Sequence, residues 1–328
     1  MDMKADDVIQ MMRPATIVYV FAIMMTSLCT EYYQFMLSSV LMGSAVAFLQ
    51  FPTFAVVSQY FDKKRGAALG LVVSGSSVGG VVFPLVLSKL LNGSNIGFGW
   101  AIRITGFLMV PFMLFACATI SPRLGPRKST IFIGAAWKDK KYVMLVVAML
   151  FMMMGMWTPI FYIPTYAVSR GMRTELAANL LAIINASSTF GRILPGIGSD
   201  KVGRLNIYAF AGIGTGIMAF CINLPTTNAS IIVFSVFFGF ISGSIISSAS
   251  AAISLCTSDP KNIGTYMGMG MSLASVAVLI GPPINGALIS KYNGFEGASI
   301  FSGVVCLVGG CIALAAKTVT PEGLFSKS

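Results

Sequence analysis

The sequence predicts an all-α membrane protein of about ten spanning helices, and three observations carry that expectation. Of its 328 residues, 56% are hydrophobic and 10% charged, whereas soluble domains carry about 25% charged residues. The apolar residues come in blocks of about 20, the length of helix that crosses a bilayer. Those blocks lack the period-two alternation of a transmembrane barrel.

Ten blocks are read in order, at 14–31, 34–59, 66–91, 97–119, 142–167, 176–197, 205–223, 229–255, 263–289 and 298–317. The first follows an acidic N-terminus, Met1 to Asp7, that suits no secretory signal, so it is expected to stay as an uncleaved anchor. The second closes on the basic run Asp62-Lys-Lys-Arg65, which anchors a helix end at cytosolic headgroups. The third opens on Gly66 and Gly70 and continues through Ser74-Gly-Ser-Ser-Val-Gly-Gly80. Small residues at such spacing let helices approach closely. The fourth ends before the longest connection, 121–141, the expected hinge between two bundles. The fifth mixes aromatics with Pro159 and Pro164, expected to break the helix and free carbonyls near a cavity. The sixth carries a polar stripe and an arginine, then runs into a Gly-rich loop of mixed charge. The eighth is serine-rich, which favours helix packing over solute binding. The ninth contains a Gly281-Pro-Pro283 break. The resulting plan is an incomplete four-span bundle over 1–120, a cytosolic central loop over 121–141, a six-helix bundle over 142–317 and a cytosolic tail over 318–328.

Charge distribution gives the orientation. With both termini in the cytosol, 17 of the 22 Lys and Arg residues fall on the inner side and Lys89, Arg103, Arg170, Arg173 and Lys291 on the outer side. That split accounts for the net charge of +11 without a nucleic-acid partner. A multi-pass cell-membrane protein with the lipid bilayer as its surroundings is expected. The sequons at Asn92 and Asn228 then lie outside, where glycans are added; a third, at Asn185, lies within a helix and is expected to stay unused. With no histidine and six scattered cysteines read as small buried residues, no metal site, cofactor or disulfide framework is expected. No nucleotide loop, nucleophile-plus-base set or paired acid points to an enzyme.

An internal echo refines the fold. Ser88-Lys-Leu-Leu-Asn-Gly93 closes the third block and Ser290-Lys-Tyr-Asn-Gly294 the ninth, about six helices later. Each follows a Gly/Pro break. Parallel six-helix repeats are the plan of the major facilitator fold. The echo matches third to ninth, so the chain reads as four plus six helices of a twelve-helix plan, without that plan's first two. Several motifs make the likeness specific: Tyr60-Phe-Asp-Lys-Lys-Arg65, Ser74-Gly-Ser to Pro84, Gly191-Arg192 with Asp200-Lys-Val-Gly-Arg204, and Gly281-Pro-Pro-Ile-Asn-Gly-Ala287. Together they resemble the monocarboxylate porter family of the major facilitator superfamily, in its fungal branch, over about residues 26–317. The resemblance implies a twelve-helix carrier working by alternating access on a small organic anion or, as in presumed fungal exporters, a secondary metabolite. It also implies an eighth-helix arginine, matched by Arg192. The aspartate that precedes that arginine by four residues in proton-coupled members is replaced by Ser188, and the family's first helix is not matched. A truncated non-transporting paralogue and a transporter-like sensor are the alternatives.

The candidate site follows from spacing. Asn185, Ser188, Thr189 and Arg192 stand at i, i+3, i+4 and i+7, one face of a helix. Asn185, Ser188 and Arg192, together with Tyr162, are the expected solute contacts, with Arg suited to a bidentate carboxylate; snorkelling of Arg192 to the inner interface is the alternative. Tyr162 is expected either to line the path with Tyr166 or to belong to an outer aromatic belt. Asp200, Lys201 and Arg204 form an expected cytosolic gate latch, or else a solvated turn.

Overall fold

In the computed structural model, the described residues are 6–61, 64–93, 95–121, 132–257, 259 and 262–319. They form ten α-helices: α1 (Asp6–Thr26), α2 (Tyr32–Tyr60), α3 (Arg65–Gly93), α4 (Gly97–Thr119), α5 (Lys140–Ser169), α6 (Thr174–Val202), α7 (Arg204–Phe220), α8 (Asn228–Ile253), α9 (Ile263–Tyr292) and α10 (Glu296–Ala315). Among the described residues nine helices are long and apolar enough to span a bilayer, and α1 adds a shorter apolar stretch, Met11–Thr26. Residues 122–131 of the expected central loop and 320–328 of the expected tail lie outside the described residues. The described end of that connection is a 3-10 turn, Gly134–Lys138, after which Asp139 caps α5 by accepting the Lys141 amide at 2.9 Å.

The chain divides into two compact units. The first comprises residues 1–62 and 82–129. In it α1 packs on α2 and α4. Arg103 donates from Nε to Ser27 Oγ at 3.0 Å and lies 5.1 Å over the Trp100 ring. Much of its apolar surface, including Phe107, Phe112 and Phe115 on α4, is exposed, as lipid-facing surface must be. The second unit comprises residues 63–81 and 130–328, so the N-terminal half of α3 belongs with α5–α10. Here helices approach through glycine. A Cβ on Gly191 or Gly239 of α6 and α8 would meet the backbone of the other helix, and one on Gly243 would stand 2.8 Å from the Ser188 carbonyl oxygen. Gly212 and Gly310 pair α7 with α10 in the same way. Without a hydrophobic drive between helices in lipid, such close van der Waals contact is what holds them. The α8 serines mostly bond back to their own helix, Ser250 to the Ile246 carbonyl and Ser235 to that of Ile231, while Ser244 crosses to the Gly191 carbonyl of α6 at 3.0 Å.

Three expectations are corrected. The first block ends early, at Thr26, because Gln34 Oε1 accepts the Thr30 and Glu31 amides and starts α2 with a capping box. The prolines do not break their helices: α5 runs through Pro159 and Pro164, and α9 through Pro282 and Pro283. Neighbouring side chains take up carbonyls at the α9 prolines, Tyr162 Oη donating to Pro282 at 2.9 Å and Asn285 Nδ2 to Gly281 at 2.9 Å. Third, the Gly-rich charged loop is helical. α6 continues to Val202, placing Asp200 and Lys201 on its last turn, because Gly196 packs on Gly70 and Gly66 of α3. The helix stops at Gly203, whose φ of 108° only glycine adopts without strain, and α7 starts on the next residue. Among the cysteines, Cys306 is buried as expected but Cys311 is exposed.

Candidate solute-binding site

The two sequence motifs richest in small and polar residues pair with each other. The N-terminal half of α3 runs antiparallel to α6. Gly66 meets Ser199 and Gly196, Gly70 meets Arg192 and Gly196, Ser77 Oγ donates to Ser188 Oγ at 3.3 Å, and Gly80 lies against the Asn185 amide. A Cβ on Gly70 would stand 2.5 Å from the Arg192 carbonyl oxygen. This contact fixes the polar stripe of α6 in place.

Arg192 is the centre of the stripe. Its side chain is 8% exposed. Nη1 donates to the Val73 carbonyl at 2.9 Å and to Ser76 Oγ. The guanidinium thus turns toward α3. Nε is buried without a hydrogen-bond partner. Among the described residues the ion pairs are Arg173–Glu175 and Arg204–Asp200, and Arg192 has no carboxylate partner. Its neighbours are neutral acceptors. Taking a charge out of water without a counter-ion costs several kcal/mol, on the order of the effective penalty per ion in real proteins, and membrane-embedded arginines are therefore functional residues by default.

A cavity of about 330 Å³ opens beside this charge, bounded by α5, α6 and α8. Asn185, Ser188 and Arg192 line it, together with Ser242, Trp157 and Phe161. Trp157 and Phe161, one turn apart on α5, stack at 5.9 Å with their planes 28° apart. The indole Nε1 of Trp157 is also buried without a partner. The volume falls at the low end of the roughly 300–1,000 Å³ typical of small-molecule pockets.

Three of the four expected solute contacts therefore meet in one cavity, and the fourth stands apart. Tyr162 donates its hydroxyl to Pro282 and borders a separate small void with Thr158 and Ser302. Thr189 bonds back to the Asn185 carbonyl at 3.1 Å. Tyr166 is buried, donating to the Asn223 and Pro225 carbonyls, and Arg170 packs 5.2 Å over its ring. Of the expected latch, Asp200 and Arg204 join at 3.5 Å and Lys201 is exposed. Asp200 does more: its two oxygens accept the Gly66 amide at 3.1 Å and the Ala67 amide at 2.9 Å, at the start of α3. A carboxylate there satisfies orphan donors and the helix dipole together. Arg204 also donates to Ser254 at 3.2 Å. Asn92 and Asn228 are exposed at the C-terminal end of α3 and the first turn of α8.

Sequence reasoning missed Trp157, Ser242 and a buried cluster of Thr158, Asn285 and Ser302. Trp157 was visible only as one aromatic among several in its block. The signal that picks it out is its pairing at i, i+4 with Phe161.

Comparison with known proteins agrees with this architecture. A family model described as Major Facilitator Superfamily matches residues 8–229 and 196–326. The chain is 48% identical over 94% of its length to the aspyridones efflux protein apdF of Emericella nidulans, spanning 63% of that protein. It is 40% identical over 93% of its length to the MFS-type transporter pynF of Aspergillus niger and 37% identical over 95% to the agnestins efflux protein AgnL12 of Paecilomyces divaricatus, spanning 71% and 72% of those proteins. The fold is that of the E. coli fucose:proton symporter FucP, with a TM-score of 0.74 at 14% identity over 94% of this chain and 84% of that one. These matches place the chain in the Major Facilitator Superfamily.

Proposed function

We propose that the chain carries a small organic anion, monocarboxylate-like or a secondary metabolite, by alternating access, and that the direction is efflux. One observation carries the reading: a buried arginine without a carboxylate partner among the described residues lines a solute-sized cavity, and an anionic solute supplies the missing charge. The efflux proteins among the relatives support the direction. The stripe's Ser188 bonds to Ser77, and no acid among the described residues lines the cavity, so transport is not tightly proton-coupled through α6. Asp200 and Arg204 act as the latch, holding the start of α3 in one state and releasing it in the other. The protein sits in the cell membrane with both termini in the cytosol and carries glycans at Asn92 and Asn228.

The test is a strain lacking the protein, with metabolites measured in cells and medium. An acidic product retained in the cells, exported again on complementation with the wild type and not with Arg192→Ala, is the expected result. Equal export by Arg192→Ala and Arg192→Lys at unchanged KM would overturn it. An export rate that follows an imposed proton gradient steeply would overturn the uncoupled reading alone.

A further inference from the structure

Two side chains that line one cavity each carry a donor without an acceptor. Arg192 Nε on α6 and Trp157 Nε1 on α5 are both buried without an acceptor, and both side chains border the same space. Buried polar groups are otherwise almost always hydrogen-bonded, so each exception calls for an explanation. The other described atoms of this kind, on Ser58, Trp137, Thr215 and Asn262, do not line this cavity.

Resting on the reading of this cavity as the solute site, we propose that Trp157 is its second donor and selects its solutes: planar, conjugated organic acids that offer two acceptor oxygens. The chemistry is one-sided. An indole N–H and a guanidinium only donate. Ammonium groups and other pure donors satisfy neither. A single acceptor satisfies one of them, whereas a carboxylate offers an oxygen to each. The Trp157–Phe161 stack adds an aromatic wall. Aromatic faces favour offset-stacked or edge-to-face rings, so a flat conjugated ring gains there what a puckered one does not. Arg192 alone would accept any small acid; Trp157 supplies the discrimination.

The experiment is calorimetric titration of the full chain in nanodiscs with three probes: 2-hydroxybenzoate, cyclohexanecarboxylate and benzamide. Trp157→Phe keeps a ring and deletes the N–H, while Trp157→Leu deletes both. The expected wild-type order is 2-hydroxybenzoate tightest, cyclohexanecarboxylate weaker and benzamide unbound. Trp157→Phe is expected to weaken 2-hydroxybenzoate about tenfold, the scale of one hydrogen bond to a charged group, at an unchanged melting midpoint. Trp157→Leu also erases the preference for the planar acid. Wild-type affinity in Trp157→Phe overturns the inference; if Arg192→Lys still weakens binding, the anion-carrier reading survives that result. Affinity lost in Trp157→Phe but kept in both Arg192→Ala and Arg192→Lys overturns the Arg192 reading and with it the paired-donor inference. Failure of the wild type to bind either acid overturns both.

Discussion

Two buried polar clusters in the second unit differ in one respect that matters. In the first, Thr158, Asn285 and Ser302 tie α5, α9 and α10 together. Asn285 Nδ2 donates to Thr158 Oγ1 at 2.6 Å and to the Gly281 carbonyl, and Ser302 donates to Thr158 at 2.8 Å. These polar groups bond one another, and the side chains are 0–2% exposed. In the second, along α6, Ser188 and Arg192 bond to α3, Asn185 bonds back to the Leu181 carbonyl, and Arg192 Nε stays unmet beside open volume. A satisfied network rigidifies; a half-satisfied one is costly unless something else completes it. The first cluster reads as a fastener and the second as a receptor.

That contrast can be broken by measuring stability, from the largest effect to the smallest. Gly191→Val drives a side chain into the Phe240 backbone of α8 and is expected to cost about 3 kcal/mol or more, the upper end for overpacking, seen as a lower melting midpoint and aggregation on size exclusion. Asn285→Leu takes one partner from each of the Thr158 and Ser302 hydroxyls and is expected to cost about 2 kcal/mol. A midpoint equal to wild type would end the fastener reading. Asp200→Asn keeps an acceptor at the start of α3 but removes the charge, for a loss of about 1 kcal/mol. Arg192→Met removes a buried charge that has no carboxylate partner, so its midpoint is expected to move less than that of Asp200→Asn, or to rise, while export is lost. A large drop with Arg192→Met would show that α6 needs this charge to fold and erase the difference between the clusters.

The stripe was legible because a helix repeats its faces by arithmetic: i, i+3 and i+7 fix Asn185, Ser188 and Arg192 on one side before anything else is known. Its partner was less legible. The glycines and serines of 66–80 stood out as a close-packing surface, but composition does not say which helix they meet. The fastener was illegible for a related reason. Thr158 and Asn285 lie 127 residues apart, and a lone polar residue in an apolar block carries no periodic signal. Tyr162 misled because its hydroxyl was free on paper and is bonded to Pro282 in the fold. The end of α6 misled because glycine and charge mark loops in soluble proteins, whereas here Gly196 is helical against α3 and only Gly203 leaves the helix.

That single glycine has a mechanical consequence. With one residue between Val202 and Arg204, the junction of α6 and α7 has no slack, and it works as an elbow with a short pin. α6 cannot roll about its own axis without dragging the first turn of α7, which packs on α8 and α10. On the proposed solute site, torque arising at Arg192 would be delivered to the far side of the unit through covalent geometry, as a crank delivers it, with no chain of side-chain contacts needed.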